Sequence, residues 1–113
     1  MQNNLGTIFL AWGNYQRALD LYLSSLAICK KTGDSVGISK SLNNIGVIYY
    51  DWGDKEISLK YYKRSYEVDS LLNDIEGQSK TLNNIAILYD EIGEKEKAIK
   101  VYYRALDFAQ QNN

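Results

Sequence analysis

Leu42, Ile45, Gly46 and Tyr49 fall at i, i+3, i+4 and i+7, the spacing that places four side chains on one face of an α-helix. "WGDK" follows at 52 to 55, where Gly53 suits a left-handed helix stop and Asp54 a helix N-cap. Beyond it Ser58, Tyr62, Ser65 and Tyr66 share a second helical face. Small residues set against large aromatic ones are what two closely packed helices need to interdigitate. The pattern predicts a helix, a tight turn and a second helix.

The same pattern returns when the chain is slid against itself by 40 residues. Residues 37 to 66 and 77 to 106 agree at 14 of 30 positions, far more than coincidence supplies. The agreement includes Leu42/Leu82, Asn43/Asn83, Asn44/Asn84, Ile45/Ile85, Tyr49/Tyr89, Gly53/Gly93 and Tyr62/Tyr102. An earlier copy joins through Asn3, Asn4, Leu5, Gly6, Phe9, Gly13, Ala18 and Tyr22. Self-similarity at a period of about 20 to 50 residues marks a stacked array. The register divides the chain into repeat one (1–34, lacking its first residues), repeat two (35–74) and repeat three (75–113). Asp34 and Asp74 are expected to cap the first helices of repeats two and three. Asn14 stands where Asp54 does, and Glu94, also there, is expected to cap less well.

Composition supports helices and removes several chemistries. Proline, the strongest helix breaker, is absent, and ten tyrosines with two tryptophans supply bulky interface side chains. With no histidine, the usual general base near neutral pH and the commonest metal ligand are missing. The single Cys29 forms no internal disulfide and is expected to sit quietly where one repeat meets the next. A net charge of −1 offers no basic excess for nucleic acid. The apolar runs are too short for a membrane span, and "MQNNLG" lacks the regions of a signal peptide. The expected location is therefore the cytoplasm, or the periplasm should a signal peptide lie outside this fragment. "GDSVG" at 33 to 37 matches the G-x-S-x-G elbow of hydrolases, but that motif needs a preceding strand and a histidine. No catalytic residue, metal site or cofactor is expected, and the chain reads as non-enzymatic.

These residues resemble the tetratricopeptide repeat. The family's stations for a bulky apolar residue, a small residue and an aromatic on the first helix read Ile45, Gly46 and Tyr49. Its turn glycine reads Gly53, and the second-helix stations read Ser58, Tyr62 and Ser65. In repeat three they read Ile85, Ala86, Tyr89, Gly93, Ala98, Tyr102 and Ala105. The period exceeds the usual 34 by six residues, and the usual proline is missing. This is similar to the longer variants in kinesin light chain, Pins-like adaptors and bacterial signalling proteins. The resemblance implies an all-α, right-handed superhelical solenoid of antiparallel helix pairs, its concave groove lined by the first helices.

Stepping about 100° per residue, the face opposite the core tetrad carries Lys40, Asn44, Val47 and Asp51. Repeat three matches it with Lys80, Asn84, Ile87 and Glu91, and repeat one with Asn4, Thr7 and Ala11. If the first helices line the groove, this stripe faces a ligand. An asparagine amide both donates and accepts, so it can pair with the backbone of an extended peptide without reading its side chains. The expected peptide-binding set is Asn4, Thr7, Lys40, Asn44, Val47, Tyr50, Lys80, Asn84 and Ile87. Asn3, Asn43 and Asn83 lie to one side and are expected to tie neighbouring helices together. Only Asn44 and Lys80 match the carboxylate clamp that some members of the family use, so a chaperone tail is not the expected partner. Three net hydrogen bonds contribute roughly 2 to 4 kcal/mol, whereas micromolar affinity needs about 8. Apolar contacts from Val47, Ile87, Tyr50 and Leu10 would have to add much of the rest.

The leading expectation is a protein-interaction module that grips an extended peptide or a partner helix. A second is an oligomerising segment that self-associates through uncapped terminal helices, since Leu106 and Ala109 leave an apolar face. A third is the sensory arm of a bacterial signalling protein whose output domain is absent.

Overall fold

The computed structural model describes residues 13–111, and among them all regular structure is α-helical. The helices are α1 (Tyr15–Thr32), α2 (Ser35–Trp52), α3 (Lys55–Leu71), α4 (Ile75–Glu91) and α5 (Lys95–Gln111). Connections of two or three residues separate them, so consecutive helices run antiparallel. Thus α1 is the second helix of repeat one, α2 and α3 form repeat two, and α4 and α5 form repeat three. Each helix packs chiefly on its neighbours in the chain, the hallmark of a solenoid.

The turns explain why the helices stop where they do. A residue in left-handed conformation recurs every 20 positions: Gly13, Gly33, Gly53, Asn73 and Gly93. Asn73, at φ 55°, is the one non-glycine among them, and asparagine tolerates this region better than most residues. Three turns close with a paired bonding pattern; at the first, Asp54 N–H donates to Tyr49 O at 2.8 Å and Gly53 N–H to Tyr50 O at 3.1 Å. Asp74 to Asp69 and Asn73 to Ser70 repeat it at 3.0 and 3.1 Å, and Glu94 to Tyr89 and Gly93 to Asp90 at 2.8 and 3.1 Å. These are the orphan carbonyls of a helix end being satisfied.

The next residue begins the following helix. Asn14, Asp34, Asp54 and Asp74 each accept a hydrogen bond from the backbone N–H three residues on, as expected from the sequence. Glu94, in the fifth such place, instead reaches Lys97 at 3.9 Å.

The apolar core lies between repeats. One cluster joins Ala18, Leu19, Tyr22 and Leu26 of α1 to Leu42, Ile45 and Ile48 of α2. A second joins Leu59 and Tyr62 of α3 to Leu82, Ile85 and Leu88 of α4, with Ala105 of α5. Close approach within repeat two depends on Gly46, where a Cβ would lie 2.9 Å from the Tyr62 ring. There Ser58 Oγ donates to Gly46 O at 2.6 Å. Burial pushes the Tyr62 phenol up to about 12.

Cys29 meets the next repeat as expected. A Cβ on Gly37 would come within 2.5 Å of its sulfur, and its thiol lies 3.9 Å from Asp34 Oδ2. The equivalent glycine, Gly77, faces Asp69.

Candidate functional site

Between α2 and α4 lies an open cleft of about 690 Å³ with α3 at its floor. Its walls carry Lys40, Asn43 and Asn44 from α2, and Glu76, Lys80, Asn83 and Asn84 from α4. Ser65 and Asp69 of α3, with Ser39, Asp74, Gly77 and Thr81, complete the lining. First helices of successive repeats face the same hollow because each repeat returns the chain through a second helix of nearly equal length.

Four of the expected residues, Lys40, Asn44, Lys80 and Asn84, therefore converge on one cleft. Asn44 and Asn84 are half-buried, whereas both lysines are exposed. Lys80 also pairs with Glu76 at 3.1 Å. Tyr50 and Ile87, with Tyr62 and Asn84, line a smaller hollow of about 200 Å³. The Tyr50 hydroxyl donates to the Glu91 carboxylate at 2.7 and 2.8 Å, and Lys55 stands 3.9 Å from that carboxylate. The hydrogen bond to Glu91, followed by burial, raises the Tyr50 phenol above its ordinary value. Val47 lines neither hollow; it is half-buried against the second core cluster. Asn4 and Thr7, with Asn3, lie outside the described residues.

Asn43 and Asn83, expected between helices, also border the cleft. Asn83 is exposed, and Asn43 is half-buried with its Oδ1 enclosed and without a hydrogen-bond donor. Both members of each asparagine pair thus reach the same space.

The floor was not legible from the stripe. Asp69 is only 4% exposed. Its Oδ1 accepts a hydrogen bond from Ser39 Oγ, and its Oδ2 accepts one from Thr81 Oγ1 at 3.3 Å. Ser65 Oγ lies 3.1 Å from Ser39 Oγ and donates to Ser39 O at 3.0 Å. Burial raises the Asp69 carboxyl above its ordinary value, with the charge of Asp74 adding to the rise. The hydrogen bonds from Ser39 and Thr81 oppose it.

A family model described as tetratricopeptide repeat matches residues 1–70, and a second with the same description matches residues 79–112. The chain belongs to the tetratricopeptide repeat family. Repeats of this family generally mediate protein–protein interaction and are generally non-catalytic. None of the curated proteins compared matches the chain.

Solved structures share its fold. BtubC (BKLC) from P. vanneervenii is 25% identical with a TM-score of 0.91, over 99% of this chain and 47% of that one. The tetratricopeptide domain of Arabidopsis FLU is 19% identical with a TM-score of 0.87, over 97% and 92%. A putative kinesin light chain from Podosopora anserina with nearly identical repeats is 16% identical with a TM-score of 0.82, over 99% and 55%. The chain spans about half the length of BtubC. No helix among the described residues is long and apolar enough to cross a membrane.

Proposed function

We propose that the cleft between α2 and α4 binds a segment of a partner protein in extended conformation, held by its backbone. The observation that carries this reading is the presence of two asparagine pairs, Asn43–Asn44 and Asn83–Asn84, at the same register on facing helices of one cleft. Amides at a repeat spacing can each exchange a donor and an acceptor with a peptide group, which is a sequence-tolerant grip. The volume, about 690 Å³, falls within the range of small-ligand pockets and suits a few residues of such a segment. Tyr50, Ile87 and Lys40 then border the path. The experiment is selection of binding peptides from a displayed random library. Calorimetry on Asn44→Ala, Asn84→Ala and the double variant follows.

A second reading is favoured by α5. Leu59 and Tyr62 of α3 are 9% and 4% exposed, whereas their equivalents Ile99 and Tyr102 are 55% and 42% exposed. Leu106, on the same face, is 51% exposed. That face would seat a first helix of another repeat, whether from the same chain or a second copy, and self-association through it makes the array an oligomerising segment. Sedimentation over a concentration series decides this, because a strict monomer at high concentration excludes it.

A further inference from the structure

Asp69 occupies a station that elsewhere holds Cys29 and Ala109. The repeat therefore folds with a thiol or a methyl there and has no need of a carboxylate. Between repeats one and two, the Cys29 thiol lies 3.9 Å from the Asp34 carboxylate, and Ser41 Oγ donates to Ser25 Oγ at 3.4 Å. Between repeats two and three, a carboxylate has been put at the floor of the cleft and 96% of its surface withdrawn from water, its exposure being 4%.

Its bonding is incomplete. A carboxylate has about four acceptor positions, and Asp69 receives two donors, Ser39 and Thr81. The Ser65 proton is already committed to Ser39 O. None of the ion pairs Lys55–Glu91, Lys80–Glu76 and Lys97–Glu94 involves Asp69. A second acceptor bordering the same cleft, Asn43 Oδ1, is enclosed and has no donor. Buried charges are normally paired and buried acceptors normally bonded. Asp69 keeps unfilled acceptor positions at the floor of a cleft open to a ligand, whereas Asn43 Oδ1 is itself closed off from solvent. The cleft as a whole carries three carboxylates, Asp69, Asp74 and Glu76, against the ammonium groups of Lys40 and Lys80.

We infer that Asp69 is the floor of a specificity pocket for a basic side chain of the bound segment, an arginine in preference to a lysine. The inference rests on the reading of the cleft as a peptide groove. Asparagines along the walls would hold the backbone, while Asp69 selects which residue lies over the floor. A guanidinium offers five N–H donors in a flat fork and is less strongly hydrated than an ammonium. It can therefore supply more than one of the donors that the half-bonded carboxylate lacks. Ser39 and Thr81 fix the carboxylate from α2 and α4, so the pocket exists only where these two helices flank α3.

The probe is N-acetyl-arginine amide, titrated into the isotopically labelled chain and followed by NMR, with N-acetyl-citrulline amide as the neutral isostere and N-acetyl-lysine amide as a third arm. Expected are saturable shifts at Ser39, Asn43, Asp69 and Thr81 with the arginine amide, a weaker response to lysine, and at least about tenfold weaker binding of citrulline. Asp69→Asn should abolish the difference between arginine and citrulline. Equal responses to the two in the unaltered chain overturn the inference without requiring any variant to fold. Shifts that spread over the surface or survive Asp69→Asn overturn it too. If selected peptides still depend on Asn44 and Asn84 while the arginine amide leaves the floor unmoved, the pocket fails and the groove stands.

Discussion

Gly46 and Ala86 occupy one station in successive repeats. Tyr62 lies against Gly46 and is buried, whereas its equivalent Tyr102, on the open face of α5, is 42% exposed. Gly46→Ala forces the Tyr62 ring to move, since the added Cβ would sit 2.9 Å from it. The expected cost is about 1 to 3 kcal/mol, the range for overpacking a filled core, read from urea denaturation. A neutral or stabilising result would mean that the ring swings out freely. Serine stations show a similar exchange. Ser65 donates to Ser39 O at 3.0 Å in repeat two, while in repeat three Ser79 donates to Ala105 O at 3.2 Å. The helix-to-helix link survives loss of the hydroxyl at 105 because the other helix supplies it.

Asp69 makes the residue-scale account testable by pH. Its carboxyl lies above the ordinary 3.8, chiefly through burial, so the folded chain holds this proton more tightly than the unfolded chain. The resulting penalty is absent below the unfolded value and grows as pH rises through the folded one. Asp69→Asn removes that penalty. Its stability relative to the unaltered chain should increase between acid and neutral pH, measured by urea midpoints at several pH values. A difference that does not vary with pH would contradict the assignment.

At the scale of elements, caps and stops were legible because they rest on local chemistry repeated every 20 residues. Asn14, Asp34, Asp54 and Asp74 all cap as their residue type implies. Replacing Asp54 by Ala should cost about 0.5 to 2 kcal/mol. Glu94→Asp should stabilise α5 by up to about 1 kcal/mol by restoring the short side chain a cap needs. Thermal melts by circular dichroism check both signs. The cleft was legible only in part. Helical phase on an isolated helix separates Asn43 from Asn44 by about 100°, yet the hollow between α2 and α4 is wide enough to reach both. The same phase puts Val47 on the groove, whereas the fold half-buries it against the second core cluster. Asp69 belongs to a second helix and so lies outside the polar stripe, which runs along first helices. The signal available was a charged residue at a station filled elsewhere by Cys29 and Ala109.

For the whole molecule, nearest-neighbour packing means that each interface is completed by the next helix. The α5 face of Ile99, Tyr102 and Leu106 is the one such face left open among the described second helices. If it seats another copy, Leu106→Glu should shift sedimentation toward monomer without altering helix content. The central claim concerns the cleft, and the most direct measurement is calorimetric titration of a library-selected peptide into the unaltered chain and the Asn44→Ala, Asn84→Ala double variant. Two net hydrogen bonds of about 0.5 to 1.5 kcal/mol each predict a loss of roughly 5- to 150-fold in affinity with the fold intact. Unchanged affinity in a folded double variant would contradict the account.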